Sequence, residues 1–294
     1  MTGPVIGIIG GSGLYQIDGL ADVEWRKVET PFGATSDEFC FGMLDGRPVV
    51  FVPRHGRGHV LPPSEINYRA NIDALKRCGV TDIVSLSAVG SLREDLVPGD
   101  FVVIEQFVDR TFARAQSFFG AGCVAHVSMA HPVCGRIGDA LAAAGPEAGI
   151  AMKRGGTYIV MEGPQFSSLA ESELYRSWHC DVVGMTNMPE AKLAREAEIC
   201  YATVAMVTDF DCWHPDHDNV TVEQIVRVLL DNADRARTLV KTAAPRIGDD
   251  SSGPKCACRA SLSHAILTAP EARDPGIARK LEAVAGRVLG ASAN

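Results

Sequence analysis

The fold of this chain is decided by the apolar run Tyr201-Ala-Thr-Val-Ala-Met-Val207, which leads directly into Thr208-Asp-Phe-Asp-Cys212. A second apolar run, Asp181-Val-Val-Gly-Met185, leads in the same way into Thr186-Asn-Met-Pro-Glu-Ala191. Both runs have the composition and length of buried strands. Polar groups at strand ends of an α/β sheet are where ligands usually bind. The sequence therefore predicts a ligand site at these two strand ends.

Two carboxylates, Asp209 and Asp211, follow the longer run. Residues two apart share one face of an extended segment, although a turn between them would break that relation. The alternative interpretation of this segment is a solvated acidic loop that binds nothing.

Strand-like runs alternate with segments of helical period along the chain, which favours a three-layer α/β/α sandwich. The predicted strands cover residues 5–9, 48–52, 83–86, 101–104, 158–161, 182–185 and 202–207. The predicted helices cover residues 64–77, 170–179, 189–198 and about 222–242. Ser64 is predicted to cap the first helix, and Pro189 to lie in the first turn of the third. The simplest division is one domain over residues 1–246 and a C-terminal extension over 247–294.

The composition is that of a globular protein, with 294 residues of which 46% are hydrophobic and 22% charged. A net charge of −8 argues against a general nucleic-acid binder, so an anionic ligand would need a local basic pocket. No apolar run approaches the ~18 residues of a membrane span, and the N-terminus lacks the basic region of a signal peptide. We therefore expect a cytoplasmic protein with neither membrane nor nucleic-acid partners.

The chain contains nine cysteines, and most of them, including Cys78, Cys180 and Cys200, lie within apolar patterns typical of core thiols. Cys256-Ala-Cys258 follows a polar tract and is predicted to be a pair of free surface thiols. These two could instead join each other or tie the tail to Cys134 or Cys200. A C-x-C pair alone lacks the four ligands of a structural zinc site.

Three donor-rich segments also follow predicted strands. They are Gly10-Gly-Ser-Gly13, Arg54-His-Gly-Arg-Gly-His59 and Ser85-Leu-Ser-Ala-Val-Gly-Ser91. Glycines let backbone amides approach an anion, and a guanidinium binds phosphate oxygens bidentately. The first segment is neither a dinucleotide-binding fingerprint nor a P-loop, since the third glycine and the Gly-Lys pair are missing. The three strand ends together could converge on one oxyanion, whereas each alone could be a plain turn.

Several ordered motifs between residues 4 and 246 resemble the trimeric purine nucleoside phosphorylase family, and in particular its methylthioadenosine-cleaving members. The motifs are Gly7-Ile-Ile-Gly-Gly-Ser-Gly-Leu14, Thr30-Pro-Phe-Gly33, Arg54-His-Gly-Arg57, Asn67-Tyr-Arg-Ala-Asn71, Glu162-Gly-Pro-Gln-Phe-Ser-Ser168, Gly184-Met-Thr186, Pro189-Glu190 and Thr208-Asp-Phe-Asp-Cys-Trp213. The tail from Cys256 onwards resembles the C-terminal extension of microbial members. The resemblance implies a central mixed sheet and the phosphorolysis of methylthioadenosine to adenine and 5-methylthioribose 1-phosphate, a step of purine and methionine salvage.

The resemblance also implies roles for individual side chains. Inorganic phosphate, the co-substrate, would be bound by Ser12, Arg54, His55, Ser87 and Thr186. The nucleoside would be bound by Met185 at the ribose, by Phe166 near the purine, and by the catalytic pair Asp209 and Asp211 at the base. Its 5′ end would lie against His59, against His126 of a neighbouring subunit, and in an apolar pocket of Val222, Ile225 and Val226.

Physical chemistry agrees with the role implied for the acidic pair. Cleavage of the glycosidic bond moves negative charge into the purine, so a proton donor is needed beside N7. Asp209, if kept neutral by partial burial and by Asp211, could be that donor. An aspartate at this position also accepts from a 6-amino group, and leaving such a group unpaired costs about 1–3 kcal/mol.

The sequence leaves two alternatives to methylthioadenosine phosphorolysis open. One is a broader purine nucleoside or 5′-methylthioinosine phosphorylase, and the other is a non-catalytic protein that binds adenine nucleosides. Asn187-Met188 departs from the family pattern beside the base site. His214, Asp216, His217 and Asp218 form a tempting metal pattern, but their context favours a lid, so we expect no metal and no organic cofactor. The expected assembly is a homotrimer or a dimer of trimers.

Overall fold

The computed structural model describes residues 4–11, 13–215, 222–248 and 256–290, and gives the backbone alone for residues 222–226. The strands are β1 (Val5–Gly10), β2 (Leu20–Arg26), β3 (Phe39–Leu44), β4 (Arg47–Pro53), β5 (Val80–Ser91), β6 (Phe101–Val103), β7 (Gln106–Arg110), β8 (Met152–Arg154), β9 (Thr157–Met161), β10 (Val182–Gly184) and β11 (Cys200–Asp209). The helices are α1 (Tyr68–Arg77), α2 (Gly135–Glu147), α3 (Leu169–Ser177), α4 (Asn187–Glu196), α5 (Val222–Ala243), α6 (Pro275–Lys280) and α7 (Glu282–Leu289).

The strands form one mixed sheet in the order β2-β3-β4-β1-β5-β10-β9-β7, and β11 pairs with both β5 and β6. Pairing is parallel between β4, β1 and β5 and between β5 and β11. It is antiparallel at the β2-β3-β4 edge and between β5 and β10. The α/β/α sandwich with a central mixed sheet is therefore confirmed. Within the described residues, no helix is both long enough and apolar enough to cross a membrane.

Both faces of the central strands are apolar, because each face is covered by helices. Along β11, Tyr201, Ala205 and Val207 enter one core, whereas Cys200 and Val204 enter the other. The first core also contains residues of α1, α4 and α7, and the second contains residues of α2 and α5. Strands that are buried on both faces have near-continuous apolar sequences, which is why β11 was recognisable.

The predicted N-cap at Ser64 is wrong. Ser64 lies in a separate 3-10 turn, Pro63–Glu65, and the extended backbone of Ile66 ends that turn. The helix α1 begins at Tyr68, and its cap is Asn67, whose side chain accepts a hydrogen bond from the Ala70 amide at 3.1 Å. The Ser64 hydroxyl instead donates to the carboxylate of Glu162.

The C-terminal extension packs on the same body as the rest of the chain. Val284 of α7 lies in the core beside α1, and Cys258 lies in the core beside α2. The prediction of surface thiols at residues 256 and 258 is therefore wrong, because Cys258 is buried and Cys256 is half-buried. Of the three cysteines predicted to be core thiols, Cys180 and Cys200 are buried.

Candidate active site

The site lies where the central sheet opens. On one edge of β5, the last pair with β1 is Ser85 with Ile9, and pairing with β10 starts only at Gly90. The segment between Ser85 and Gly90 therefore faces a gap between the end of β1 and the end of β10. Gaps of this kind, where neighbouring strands diverge, are the usual ligand sites of α/β sheets.

Three hydroxyls meet in this gap, and all three side chains are buried. Ser87 Oγ lies 3.0 Å from the Tyr158 hydroxyl and 3.3 Å from Thr186 Oγ1. The tyrosine lies directly under β10, since a Cβ added to Gly184 would meet the Tyr158 oxygen at 2.0 Å. Glycine at position 184 is thus required for this close approach. Tyr158 was predicted only as a strand residue.

Arg54 lies behind these hydroxyls and is only 2% exposed. Its Nε donates to Glu190 at 2.9 Å, and its Nη2 donates to Ser85 Oγ at 2.6 Å and to Glu190 at 3.3 Å. Its Nη1 donates to the Leu86 carbonyl at 3.0 Å. These bonds use four of the five guanidinium N–H groups, which leaves one to donate to a ligand. We call Arg54, Ser87, Tyr158, Thr186 and Glu190 the anion wall.

Asn187, which departs from the family pattern, lies in the network that supports the anion wall and not at the lip of the site. It is buried, and its Nδ2 lies 2.6 Å from the Tyr201 hydroxyl and 3.0 Å from Ser85 Oγ. Tyr201 in turn donates to Glu190 at 2.8 Å. Buried polar networks of this kind fix the orientation of the groups that they contact.

His55 lies beside the anion wall in a partly buried position. Burial, followed by the positive charge of Arg54, lowers the pKa of His55 to about 4, so the ring is neutral at neutral pH. Its Nδ1 lies 2.8 Å from the Leu61 carbonyl, which requires a proton on Nδ1 and leaves Nε2 as an acceptor. A neutral His55 can therefore accept a hydrogen bond from a protonated phosphate oxygen.

The two carboxylates predicted after β11 lie on the other side of the β5 strand end. Asp209 is the last residue of β11, and Asp211 follows in a turn with a φ of 52°. The turn folds the backbone back, so that the Asp211 amide donates to Asp209 Oδ1 at 2.8 Å. A Cβ at Gly90 would lie 3.1 Å from the same Asp209 oxygen, so the carboxylates lie against bare backbone.

Burial raises the pKa of both carboxyl groups. For Asp209 the rise is opposed by hydrogen bonds from the Thr208 hydroxyl and the Asp211 amide. The sequence predicted that the charge of Asp211 would raise the pKa of Asp209. The effect is found in the other direction, since the Asp209 carboxylate raises the pKa of Asp211. The nearby hydroxyls of Ser172 and Ser167 lower the pKa of the Asp211 carboxyl. Its buried Oδ2 makes no hydrogen bond of normal geometry within the described residues, so a ligand that donates there would satisfy it.

A buried arginine that the sequence analysis missed holds the turn after β10. The Arg114 Nη1 donates to the carbonyls of Met185 and Met188 at 2.6 Å each. Its Nη2 donates to the Glu162 carbonyl at 2.7 Å, and its Nε forms an ion pair with the Glu162 carboxylate. Arg114 therefore fixes the backbone of Met185 and Thr186 at the site.

Three other side chains of the predicted site region are exposed, and we call them the open rim: Arg57, His59 and Phe166. His126, which is expected to reach the site of a neighbouring subunit, is exposed as well. The ring of Phe166 is 64% exposed, and His59 stacks on His55 with centroids 4.2 Å apart. Arg57 does not join Arg54 in an anion receptor, because Asp37 and Glu38 pair with it at 2.7 and 3.0 Å. The His126 amide donates to Ala265 of the C-terminal extension at 2.9 Å.

Some predicted site residues lie outside the described residues. They are Ser12, Asp216, His217 and Asp218, together with the side chains of Val222, Ile225 and Val226. The backbone of the last three belongs to the first turns of α5. His214 is described, and its ring lies 4.7 Å from that of Phe210, centroid to centroid.

A mixed α/β sandwich with a hydroxyl-lined gap in its sheet and buried carboxylates beside it defines a protein of nucleoside-phosphorylase type. The chain belongs to the phosphorylase superfamily, whose family model matches residues 5–245. It is 64% identical to the S-methyl-5′-thioadenosine phosphorylase of Rhodospirillum rubrum over 98% of both chains. It is 61% identical to that of Cereibacter sphaeroides, over 97% of this chain and 98% of the relative.

Solved structures agree with these sequence relatives. A methylthioadenosine phosphorylase from an Antarctic soil metagenomic library superimposes with a TM-score of 0.91 at 48% identity, covering 97% of this chain and 99% of the other. The Schistosoma mansoni methylthioadenosine phosphorylase in complex with adenine gives a TM-score of 0.80 at 39% identity. That match covers 84% of this chain and 93% of the other.

Proposed function

We propose that this protein catalyses the phosphorolysis of S-methyl-5′-thioadenosine to adenine and 5-methylthioribose 1-phosphate. The observation that carries the proposal is the position of the anion wall and the two buried carboxylates on either side of one strand end, β5. A nucleoside that spans this strand end would have its sugar at the hydroxyls and its base at the carboxylates. Relatives named for this activity, at up to 64% identity over nearly the whole chain, support it.

Inorganic phosphate is the co-substrate in this proposal. The remaining Arg54 N–H and the hydroxyls of Ser87 and Thr186 would donate to it, and neutral His55 would accept from its protonated oxygen. Ser12, after β1, would add a further donor. Neither an organic cofactor nor a catalytic metal takes part, because phosphate is itself the nucleophile.

The C1′–N9 bond breaks as a phosphate oxygen bonds to C1′, so positive charge develops on the sugar and negative charge on the purine. Phosphate beneath the ring stabilises the first charge, and a protonated Asp209 donates its proton to N7 and stabilises the second. Asp211 Oδ2 would accept a hydrogen bond from the base. Met185 would contact the ribose, and Phe166 would stack near the purine.

The 5′ end of the nucleoside would lie at the open rim and the first turns of α5. We propose that His59, Val222, Ile225 and Val226 surround the methylthio group, and that His126 comes from a neighbouring subunit. Such an arrangement requires an oligomer, and we propose a cyclic trimer or a dimer of trimers. The division at residue 246, the cytoplasmic location and the roles in purine and methionine salvage remain predictions.

The direct test is chromatographic detection of adenine released from methylthioadenosine with and without phosphate. We expect release only with phosphate, and a preference over adenosine on the order of 10-fold to 100-fold, since a buried 5′-hydroxyl lacks a partner in an apolar pocket. A preference for inosine or methylthioinosine would favour the broader phosphorylase. Binding without phosphate-dependent release would favour a non-catalytic protein.

The role of Asp209 has its own test. Asp209→Asn should lower methylthioadenosine turnover by about 10²- to 10⁴-fold, because an amide cannot donate an acidic proton to N7. The matched control is Asp45→Asn, in the exposed turn between β3 and β4. Equal turnover in the two variants would remove Asp209 from the mechanism.

A further inference from the structure

Four cysteines from distant parts of the chain meet at one point, away from the candidate active site. They are Cys134 before α2, Cys200 at the start of β11, and Cys256 and Cys258 at the start of the C-terminal extension. Their four sulfur atoms all lie within 4.8 Å of one another. We call these residues the four-cysteine cluster. Cys134 and Cys200 thus bring to the C-x-C pair the two further sulfur atoms that the local sequence lacks.

The spacing of the sulfurs matches a tetrahedral metal site. Zinc–sulfur bonds of about 2.3 Å place the four sulfurs of a tetrathiolate site about 3.8 Å apart. The Cys134 and Cys256 sulfurs lie 3.6 Å apart, and all nine cysteines of the chain are free thiols in this structure. Two disulfides would need only two close pairs, whereas here every pair among the four sulfurs lies within 4.8 Å.

The residues around the cluster would balance the charge of a metal tetrathiolate. Zinc bound by four thiolates carries two net negative charges. Arg136 bonds to Cys200, Arg195 lies close enough to stabilise the Cys258 thiolate, and Arg259 follows Cys258 directly. One carboxylate, that of Asp82, pairs with both Arg136 and Arg259. These guanidiniums would offset part of the negative charge of the site.

The backbone holds the ligands in place. The Cys134 amide donates to the Tyr201 carbonyl at 2.7 Å, which ties the start of α2 to β11. Cys134 is also the N-cap residue of α2, where the helix dipole favours a thiolate.

From these observations we propose a structural zinc site in which the metal is bound by the thiolates of Cys134, Cys200, Cys256 and Cys258. Soft thiolates in tetrahedral geometry select zinc among the abundant divalent metals, and four protein ligands leave no open position for chemistry. The cluster and Asp209 lie at opposite ends of β11, roughly 30 Å apart at ~3.3 Å per residue. The metal would therefore anchor the C-terminal extension and take no part in catalysis.

The test uses the full chain, expressed with added zinc and purified anaerobically under reducing conditions. Elemental analysis should find about one zinc per chain. The double variant Cys256→Ser/Cys258→Ser should retain less than about a tenth of that zinc, since two ligands cannot hold a closed site. The matched control Cys78→Ser, a half-buried thiol outside the cluster, should keep the full amount.

A second measurement on the unaltered chain does not depend on how the variants fold. Cobalt exchanged into the site should give the visible ligand-field and thiolate charge-transfer bands of a tetrahedral tetrathiolate complex. Protein that contains no zinc and takes up no cobalt would overturn the proposal, as would iron in place of zinc. An intact mass lower by four hydrogen atoms after reductant-free purification in zinc-containing buffer would assign the cluster to two disulfides instead.

Discussion

Arg54 and Arg57 lie three residues apart in one motif, yet they belong to two regions that are built differently. Arg54 is buried in the anion wall and makes four hydrogen bonds to groups of its own chain. Arg57, on the open rim, pairs with Asp37 and Glu38 at the surface, and its side chain is 44% exposed. The hydrogen bonds of the anion wall are thus buried, whereas those of Arg57 on the open rim lie at the surface, where solvent screens them.

This difference predicts that substitutions in the two regions have different effects on folding stability and on ligand binding. A change in the anion wall should destabilise the folded protein as well as phosphate binding, because it leaves buried polar groups without partners. A change in the open rim should leave folding stability intact and affect only the nucleoside. The predictions that follow test this separation.

The largest effect should come from breaking the buried ion pair of the anion wall. Glu190→Ala leaves the Arg54 guanidinium without its counter-charge, and removing one partner of a buried pair typically costs about 3–5 kcal/mol. Glu38→Ala, which breaks the exposed pair with Arg57, should cost less than about 1 kcal/mol. Urea unfolding followed by circular dichroism measures both. Similar costs for the two variants would contradict the comparison.

The fold could be predicted from sequence where strands are buried on both faces. β11 and β4 were recognised because their apolar runs are continuous. The edge strand β2 was missed, since most of its side chains are exposed and give no pattern. Helix α2 was missed as well, because glycine and Pro146 lower the helix propensity of its sequence.

The candidate site could be predicted only where the signal was local. Thr186 and Asp209 follow apolar runs directly, so their place at strand ends could be inferred. Glu190, by contrast, is 136 residues away from Arg54, and no local pattern indicates that the two pair. Only part of the four-cysteine cluster could be predicted for the same reason. Cys256 and Cys258 are neighbours in the sequence, whereas Cys134 and Cys200 are distant from them. What the sequence did not supply was the long-range pairing that the sheet topology creates.

A second prediction concerns pH and His55. The folded protein holds the pKa of His55 at about 4, whereas the unfolded chain has the ordinary value of about 6.5. Between these values the unfolded state binds the extra proton, so stability falls as the pH falls from 6.5 to 4. The total loss from this group should be about 3 kcal/mol. Unfolding free energies of His55→Asn measured across this range should show a flatter pH dependence than those of the unaltered protein. An unchanged slope would mean that folding does not lower the pKa of His55.

A third prediction tests the hydroxyls of the anion wall. Tyr158→Phe removes the partner that lies 3.0 Å from Ser87, so Ser87 loses its orientation towards the sheet gap. The phosphate KM should rise about 10-fold, the value of one buried hydrogen bond, while the methylthioadenosine KM stays within about two-fold. Tyr15→Phe is the control, because its ring packs on Trp25 and, among the described residues, its hydroxyl makes no hydrogen bond to the anion wall. Equal increases in both KM values would show that Tyr158 supports the whole site and not the anion wall alone.

The smallest effect should come from the open rim, at Phe166. The ring is 64% exposed and contributes little to the core, so Phe166→Ala should leave the unfolding free energy within about 0.5 kcal/mol of its original value. If the ring stacks on the purine, its loss should raise the methylthioadenosine KM about five-fold, since an aromatic pair contributes roughly 1 kcal/mol beyond its buried area. The phosphate KM should not change, because the anion wall is built without Phe166. Phe166→Tyr keeps the aromatic face and should behave as the unaltered protein in all three measurements. A loss of stability in Phe166→Ala, or a parallel rise of the phosphate KM, would show that the open rim and the anion wall form one coupled unit.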